Sequence, residues 1–92
     1  MLNEKIVIVT GASRGIGQAI ALELGGMGAT VIGTATSDSG ADAISAYFKE
    51  NEIAGIGMKL DVSNQDSVDS VLKSIKDDFG VPSILVNNAG IT

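Results

Sequence analysis

The sequence predicts an α/β fold, a parallel sheet of four strands in the order 3-2-1-4 with helices on both faces. Three observations predict it. The run Ile6-Val7-Ile8-Val9 is β-branched and apolar on both faces, which suits a central parallel strand covered on each side. That run passes directly into a glycine-rich turn, Thr10-Gly11-Ala12-Ser13-Arg14-Gly15-Ile16-Gly17, and then into a helical pattern. Strand and helix patterns then alternate to the end, β-α-β-α-β-α-β. Right-handed crossovers turn that order into one doubly wound sheet.

Each element has its own signals. Strand one is read over Lys5 to Val9. Helix one starts near Arg14 or Gly15 and runs to about Leu24, with Ile16, Ala19, Ile20 and Leu24 at helical spacing as its inner face. Gly25-Gly26 and Gly28 follow. Glycine in a helix costs about 1 kcal/mol relative to alanine, so the last turn is expected to fray. Strand two is Thr30 to Thr34, followed by the small polar turn Ala35-Thr36-Ser37-Asp38-Ser39-Gly40. Helix two is read from about Gly40 to Asn51, with Ile44, Tyr47 and Phe48 turned inward. Strand three lies over Gly55 to Leu60, and Asp61-Val62 follow it. Ser63 is the expected cap of helix three, with Asp66 close to completing a capping box. Val68, Val71, Leu72, Ile75 and Phe79 then form an amphipathic stripe for packing on the sheet. Gly80 and Pro82 end that helix. Strand four is Ser83 to Asn87.

Composition narrows the function. The 92 residues are enough for one domain at most. There are no cysteines and no histidines, so neither a disulfide framework nor the usual metal ligands are available, and no metal site is expected. A net charge of −5 with six scattered basic residues argues against nucleic acid as a partner. Met1-Leu2-Asn3-Glu4-Lys5 does not lead into a long apolar run, so no signal peptide is read there. No stretch has the length of a membrane span. The expectation is a soluble, cytoplasmic protein without membrane partners.

The chemistry gathers where strand order reverses, between strands one and four, beyond the carboxyl ends of the strands. Four loops meet there: Gly11 to Gly17, Thr36-Ser37, Asp61-Val62 and Asn87 to Gly90. Gly11, Gly15 and Gly17 allow close backbone approach, and the helix N-terminus after them suits an anion such as a pyrophosphate. The spacing T-G-x-x-x-G-x-G differs from the more general G-x-G-x-x-G dinucleotide pattern. No Gly-Lys-Ser/Thr follows the glycines, which excludes a P-loop. Strand two ends without the carboxylate that usually meets a ribose 2′-OH. Arg14 stands near enough to bind a 2′-phosphate, or is a solvated loop arginine. Thr36 and Ser37 offer hydroxyls to the same group, or cap helix two. Asp61 is either a ligand-facing acid or a strand-end turn residue. Asn87-Asn88 can brace neighbouring backbone, while Ala89 and Gly90 leave room for a ribose.

T-G-x-x-x-G-x-G and N-N-A-G in one chain identify a resemblance to the N-terminal part of the short-chain dehydrogenase/reductase family, with its Rossmann-type three-layer α-β-α fold. Residues 9–17 (V-T-G-A-S-R-G-I-G), 31–37 (V-I-G-T-A-T-S), 40–45 (G-A-x-A-I-S) and 84–92 (I-L-V-N-N-A-G-I-T) resemble one branch of it in particular. That branch reduces 3-oxoacyl thioesters on acyl-carrier protein with NADPH, in fatty-acid biosynthesis. The resemblance implies NADP(H) contacts at Gly11, Ala12, Ser13, Arg14, Gly15, Ile16, Gly17, Thr36, Asp61, Val62, Asn87, Ala89 and Gly90, with Asp61 and Val62 at the adenine. It also implies a homotetrameric parent protein. Two features depart from the branch: Gly25-Gly26, and Ser83 in place of an acidic residue. The family's catalytic Ser, Tyr-x-x-x-Lys and Asn have no counterpart here. The one tyrosine is Tyr47, and Asn51, not lysine, stands four residues on. Residues 1–92 are therefore expected to be the N-terminal part of an NADP-binding domain, inactive alone. The open edge of Ile84-Leu85-Val86 is expected to make the chain self-associate.

Overall fold

β1 (Ile6–Val9) lies between two parallel neighbours, β2 (Thr30–Ala35) and β4 (Ile84–Val86), and β3 (Gly55–Lys59) pairs with the far side of β2. The order is β3-β2-β1-β4, as expected from the sequence. The computed structural model describes residues 5–13, 15–61 and 63–86. The crossovers are α1 (Gly15–Gly26), α2 (Asp38–Glu50) and α3 (Gln65–Asp78). This is a Rossmann-type sheet.

Alternation along β1 divides the core, because successive side chains point to opposite faces. Val7 and Val9 join Ala21 of α1 and Ile44 and Phe48 of α2 on one face. Ile8 joins Ile32, Leu60, and Val71 and Ile75 of α3 on the other. All three β1 side chains are buried, which accounts for a strand with no polar face. Burying side chains such as Phe48 and Ile44 stabilises the fold by about 1.5–3 kcal/mol each.

Glycine sets how closely α2 approaches the sheet. A Cβ at Gly33 would lie 2.7 Å from Ile44 Cγ2 and 3.0 Å from Ala12 Cβ. At Gly57 it would collide with the Ala41 carbonyl oxygen and meet Ile44 Cβ at 2.7 Å. The helix thus rests on the backbone of β2 and β3, without a layer of side chains between them.

The helix ends differ from the sequence reading. α1 does not stop near Leu24 or fray there. It includes Gly25 and Gly26, since a Cβ at Gly25 would lie 2.5 Å from Ile53 Cγ2 and close packing there requires glycine. A Schellman motif closes it: Gly28 has φ 96, its N–H donates to Gly25 O at 3.1 Å, and Ala29 N–H donates to Leu24 O at 3.3 Å. The inner face of α1 also differs. Gly17 and Ala21 are its buried residues, with Ile20 and Leu24 packed alongside, whereas Ile16 is 66% exposed and Ala19 faces outward. Small or apolar residues occur around most of α1, so spacing alone misassigned the face.

α2 begins at Asp38, before the expected Gly40, because Ser37 caps it: Ser37 Oγ accepts the Gly40 N–H at 3.1 Å. α3 is capped by Asn64, not Ser63. Asn64 Oδ1 accepts the Ser67 N–H at 3.2 Å, and Ser63 is instead bonded to Asp61. In the expected α3 stripe, Leu72 is 43% exposed while Val71 and Ile75 are buried. Lys5, Leu60 and Ser83 fall just outside their strands but keep ladder-like bonds, such as Ser83 N–H to Ile6 O at 2.8 Å. Asn87, expected at the end of strand four, lies outside the described residues. Among the described residues no strand pairs with the outer edge of β4, and Leu85 is 63% exposed.

The glycine contacts predict opposite effects at two positions. Gly57→Ala should lower unfolding stability by about 1–3 kcal/mol, because α2 must be displaced. Gly26→Ala, with no atom within 4 Å of the added methyl, should raise it by about 0.5–1 kcal/mol. Urea unfolding of both variants checks this; a neutral Gly57→Ala would contradict the packing.

Candidate functional site

The carboxyl ends of the strands feed the loops picked out in the sequence. β1 opens into Thr10–Ser13, β2 into Thr36-Ser37 and β3 into Asp61. β4 is tied to the first of these, since Thr10 N–H donates to Val86 O at 3.0 Å and Thr10 Oγ1 lies 3.4 Å from the same oxygen. The glycine turn therefore sits at the reversal of strand order. Arg14, Val62, Asn87, Ala89 and Gly90, also expected in the site, lie outside the described residues.

The turn is held by the residue that follows Gly11. Ala12 is fully buried; its N–H donates to Thr34 O at 2.9 Å, and its carbonyl accepts the Tyr47 hydroxyl at 2.6 Å. Gly11 and Gly15 both have φ 62, the left-handed region where side chains are strained. Among the described residues, a Cβ at Gly15 would meet nothing within 4 Å, and Gly15 itself is exposed. α1 has no acidic residue in its first turn, leaving its N-terminal positive end without a carboxylate of its own there. An exposed left-handed glycine at such a helix start fits a phosphate group.

The structure also brings Ser13 to the end of β2. Gly40, in the first turn of α2, makes room for both: a Cβ there would lie 2.7 Å from Ala35 Cβ and 3.7 Å from Ser13 Cβ. Thr36 is exposed immediately after Ala35. Gly17 is buried in α1, and the Ile16 side chain stands in solvent.

Asp61 is organised as a turn residue. Its carboxylate accepts the Ser63 hydroxyl at 2.6 Å and the Ser63 N–H at 3.0 Å, while its own N–H donates to Ser67 Oγ at 3.1 Å. The Ser63 hydroxyl, then the Ser63 N–H, holds the Asp61 carboxyl below its ordinary range. The acid is therefore ionised and fixed in direction at neutral pH.

Thr10, the first residue of the glycine-turn pattern, is buried and joined to β4. One residue of the site went unnoticed in the sequence. Tyr47 is read there as core, yet it crosses to the glycine turn. An inward-facing tyrosine is itself the signal, since its hydroxyl must find a partner once buried.

The fold and this turn are those of a known class. The family model described as short chain dehydrogenase matches residues 5–92, and the chain belongs to that family. Among curated relatives it is 59% identical over 91 residues to "3-oxoacyl-[acyl-carrier-protein] reductase FabG" of Pseudomonas aeruginosa, covering 99% of this chain and 37% of that protein. It is 60% identical over 91 residues to the protein of that name from Vibrio cholerae, covering 99% of this chain and 36% of the relative. For the Escherichia coli protein of that name the figures are 58% over 88 residues, 96% and 35%. The chain thus spans a little over a third of the length of these relatives. No helix among the described residues is long and apolar enough to cross a membrane.

Burial pushes the Tyr47 hydroxyl from 10.0 up to about 12. The folded chain then keeps a proton that the unfolded chain loses, so this contribution to stability is complete below pH 10 and is lost as pH rises toward about 12. With one tyrosine and no tryptophan in the 92 residues, ultraviolet titration reads this group directly. The expected midpoint is about 12; one near 10.0 would contradict the burial.

Proposed function

We propose that the chain carries the adenine and phosphate side of an NADPH site, in a reductase that converts 3-oxoacyl-[acyl-carrier-protein] to the 3-hydroxyacyl form. The observation carrying this reading is the glycine turn at the strand-order reversal, with left-handed Gly11 and Gly15 leading into α1, held beside a β2 end that lacks a carboxylate. The relatives named as 3-oxoacyl-[acyl-carrier-protein] reductases support the substrate. The proposed setting is the cytoplasm, in a protein of which residues 1–92 are part of the cofactor domain.

The residues divide the cofactor among them. Backbone N–H groups of the Gly11–Gly17 turn and the α1 N-terminus take the pyrophosphate. Arg14, with hydroxyls of Ser13 and Thr36, takes the 2′-phosphate; a guanidinium binds it bidentately and stays charged at all working pH values. Asp61 and Val62 border the adenine, and Asn87, Ala89 and Gly90 the ribose. NADPH when bound supplies the hydride for the carbonyl carbon. Tyr47 is not the matching proton donor, because its hydroxyl is already given to Ala12 and no lysine stands four residues on. The 92 residues bind and orient; they do not protonate, and alone they are proposed to reduce nothing.

The 2′-phosphate assignment is tested at Arg14. Losing a charge-assisted hydrogen bond should weaken NADPH binding roughly ten- to a hundredfold in Arg14→Ala, with NADH changed less than about threefold. Calorimetric titration of both nucleotides decides it. Equal losses for the two would contradict the assignment.

A further inference from the structure

We propose that Tyr47 is a positioning residue for the cofactor's phosphates: from α2 its hydroxyl holds the Ala12 carbonyl and thereby aims the Ser13 N–H. The inference rests on the NADPH reading above and assigns a role to a residue outside the phosphate turn itself.

Geometry carries it. The Tyr47 hydroxyl donates to Ala12 O at 2.6 Å, joining positions 35 residues apart. Ala12 O and the Ser13 N–H belong to one planar peptide unit, and no peptide bond among the described residues is cis. In a trans unit the carbonyl and the N–H point in opposite directions. A carbonyl drawn toward α2 therefore sends the Ser13 N–H away from α2. The Ala12 N–H bond to Thr34 O at 2.9 Å fixes the preceding peptide in the same way. Two successive peptides of the turn are thus anchored, one to β2 and one to α2, so the donors are set before any ligand arrives. Preorganised donors lose less freedom on binding.

Tyr47 is itself well placed for this. Its ring meets Phe48 edge to face, with centroids 4.9 Å apart at 88°. Phe48 and Ile44 are buried in the core shared with Ala12, and α2 is seated on Gly33 and Gly57. The lever is therefore rigid. Burial keeps the hydroxyl protonated up to about 12, so it remains a donor at every working pH.

The test is Tyr47→Phe, which keeps the ring and removes only the hydroxyl. NADPH affinity is read by calorimetry, and exchange of the Ala12 and Ser13 amides by NMR in nucleotide-free protein. The expected result is NADPH binding weakened about fivefold or more, the worth of a typical hydrogen bond, with exchange sped at both amides more than at amides of the sheet core. Lysine or arginine changes elsewhere would not speed exchange at these two amides. NADPH affinity within twofold of the unsubstituted protein overturns the proposal, whatever the exchange shows. If the unsubstituted protein bound no NADPH, the cofactor reading would fail instead. Exchange alone would then decide whether Tyr47 holds the turn, and unchanged rates would overturn it.

Discussion

The seating of α2 directly on the backbone of β2 and β3 is the contact from which the site follows. Gly33 and Gly57 permit it, because any side chain there would meet Ile44 or the Ala41 carbonyl. Once α2 is that close, Tyr47 reaches the glycine turn, and Ser37, Gly40 and Ser13 come together at the end of β2. A helix standing off by one layer of side chains would leave Ala12 without its α2 partner. Helix packing and loop geometry are thus one constraint. Interiors at crystal-like density pass such displacements on, without absorbing them.

The turn shows how a rigid scaffold can carry an open loop. Thr10 is fastened to β4, Ala12 to β2 and α2, and α1 starts at Gly15. Fixed points alternate with the left-handed glycines Gly11 and Gly15. Among the described residues no buried side-chain polar atom lacks a hydrogen-bond partner, so the anchoring leaves no internal polar debt. The first turn of α1 carries no acidic residue, so its positive end suits an anionic ligand.

The element order and sheet order were legible because they rest on strong local patterns. A doubly apolar β1, the glycine turn and the Val71-Ile75 spacing each admit one main reading. Chain ends of helices were less legible, because the competing capping groups are chemically alike. Ser63 and Asn64 are adjacent cap formers, and only the pull of Asp61 on Ser63 leaves the cap to Asn64. Gly25 looked like a weak helix former, when its job is to admit Ile53. The face of α1 was misread since apolarity there has little direction. In the site, glycines and hydroxyls at the strand ends announced themselves by type. Tyr47 did not, because its partner is a backbone carbonyl 35 residues away, and no spacing rule reaches that far.

The central claim is that a ligand's phosphates meet this turn at the carboxyl end of β1, with α2 as its brace. Backbone amide shifts of isotope-labelled protein titrated with NADPH test it most directly. The account predicts that the amides of Gly11, Ala12, Ser13, Gly15 and Thr36 move, while those of residues 71–78, in the later half of α3, and of Ala29-Thr30 at the amino end of β2 stay in place. Shifts concentrated on α3 or at the amino ends of the strands, with the glycine turn unmoved, would contradict it.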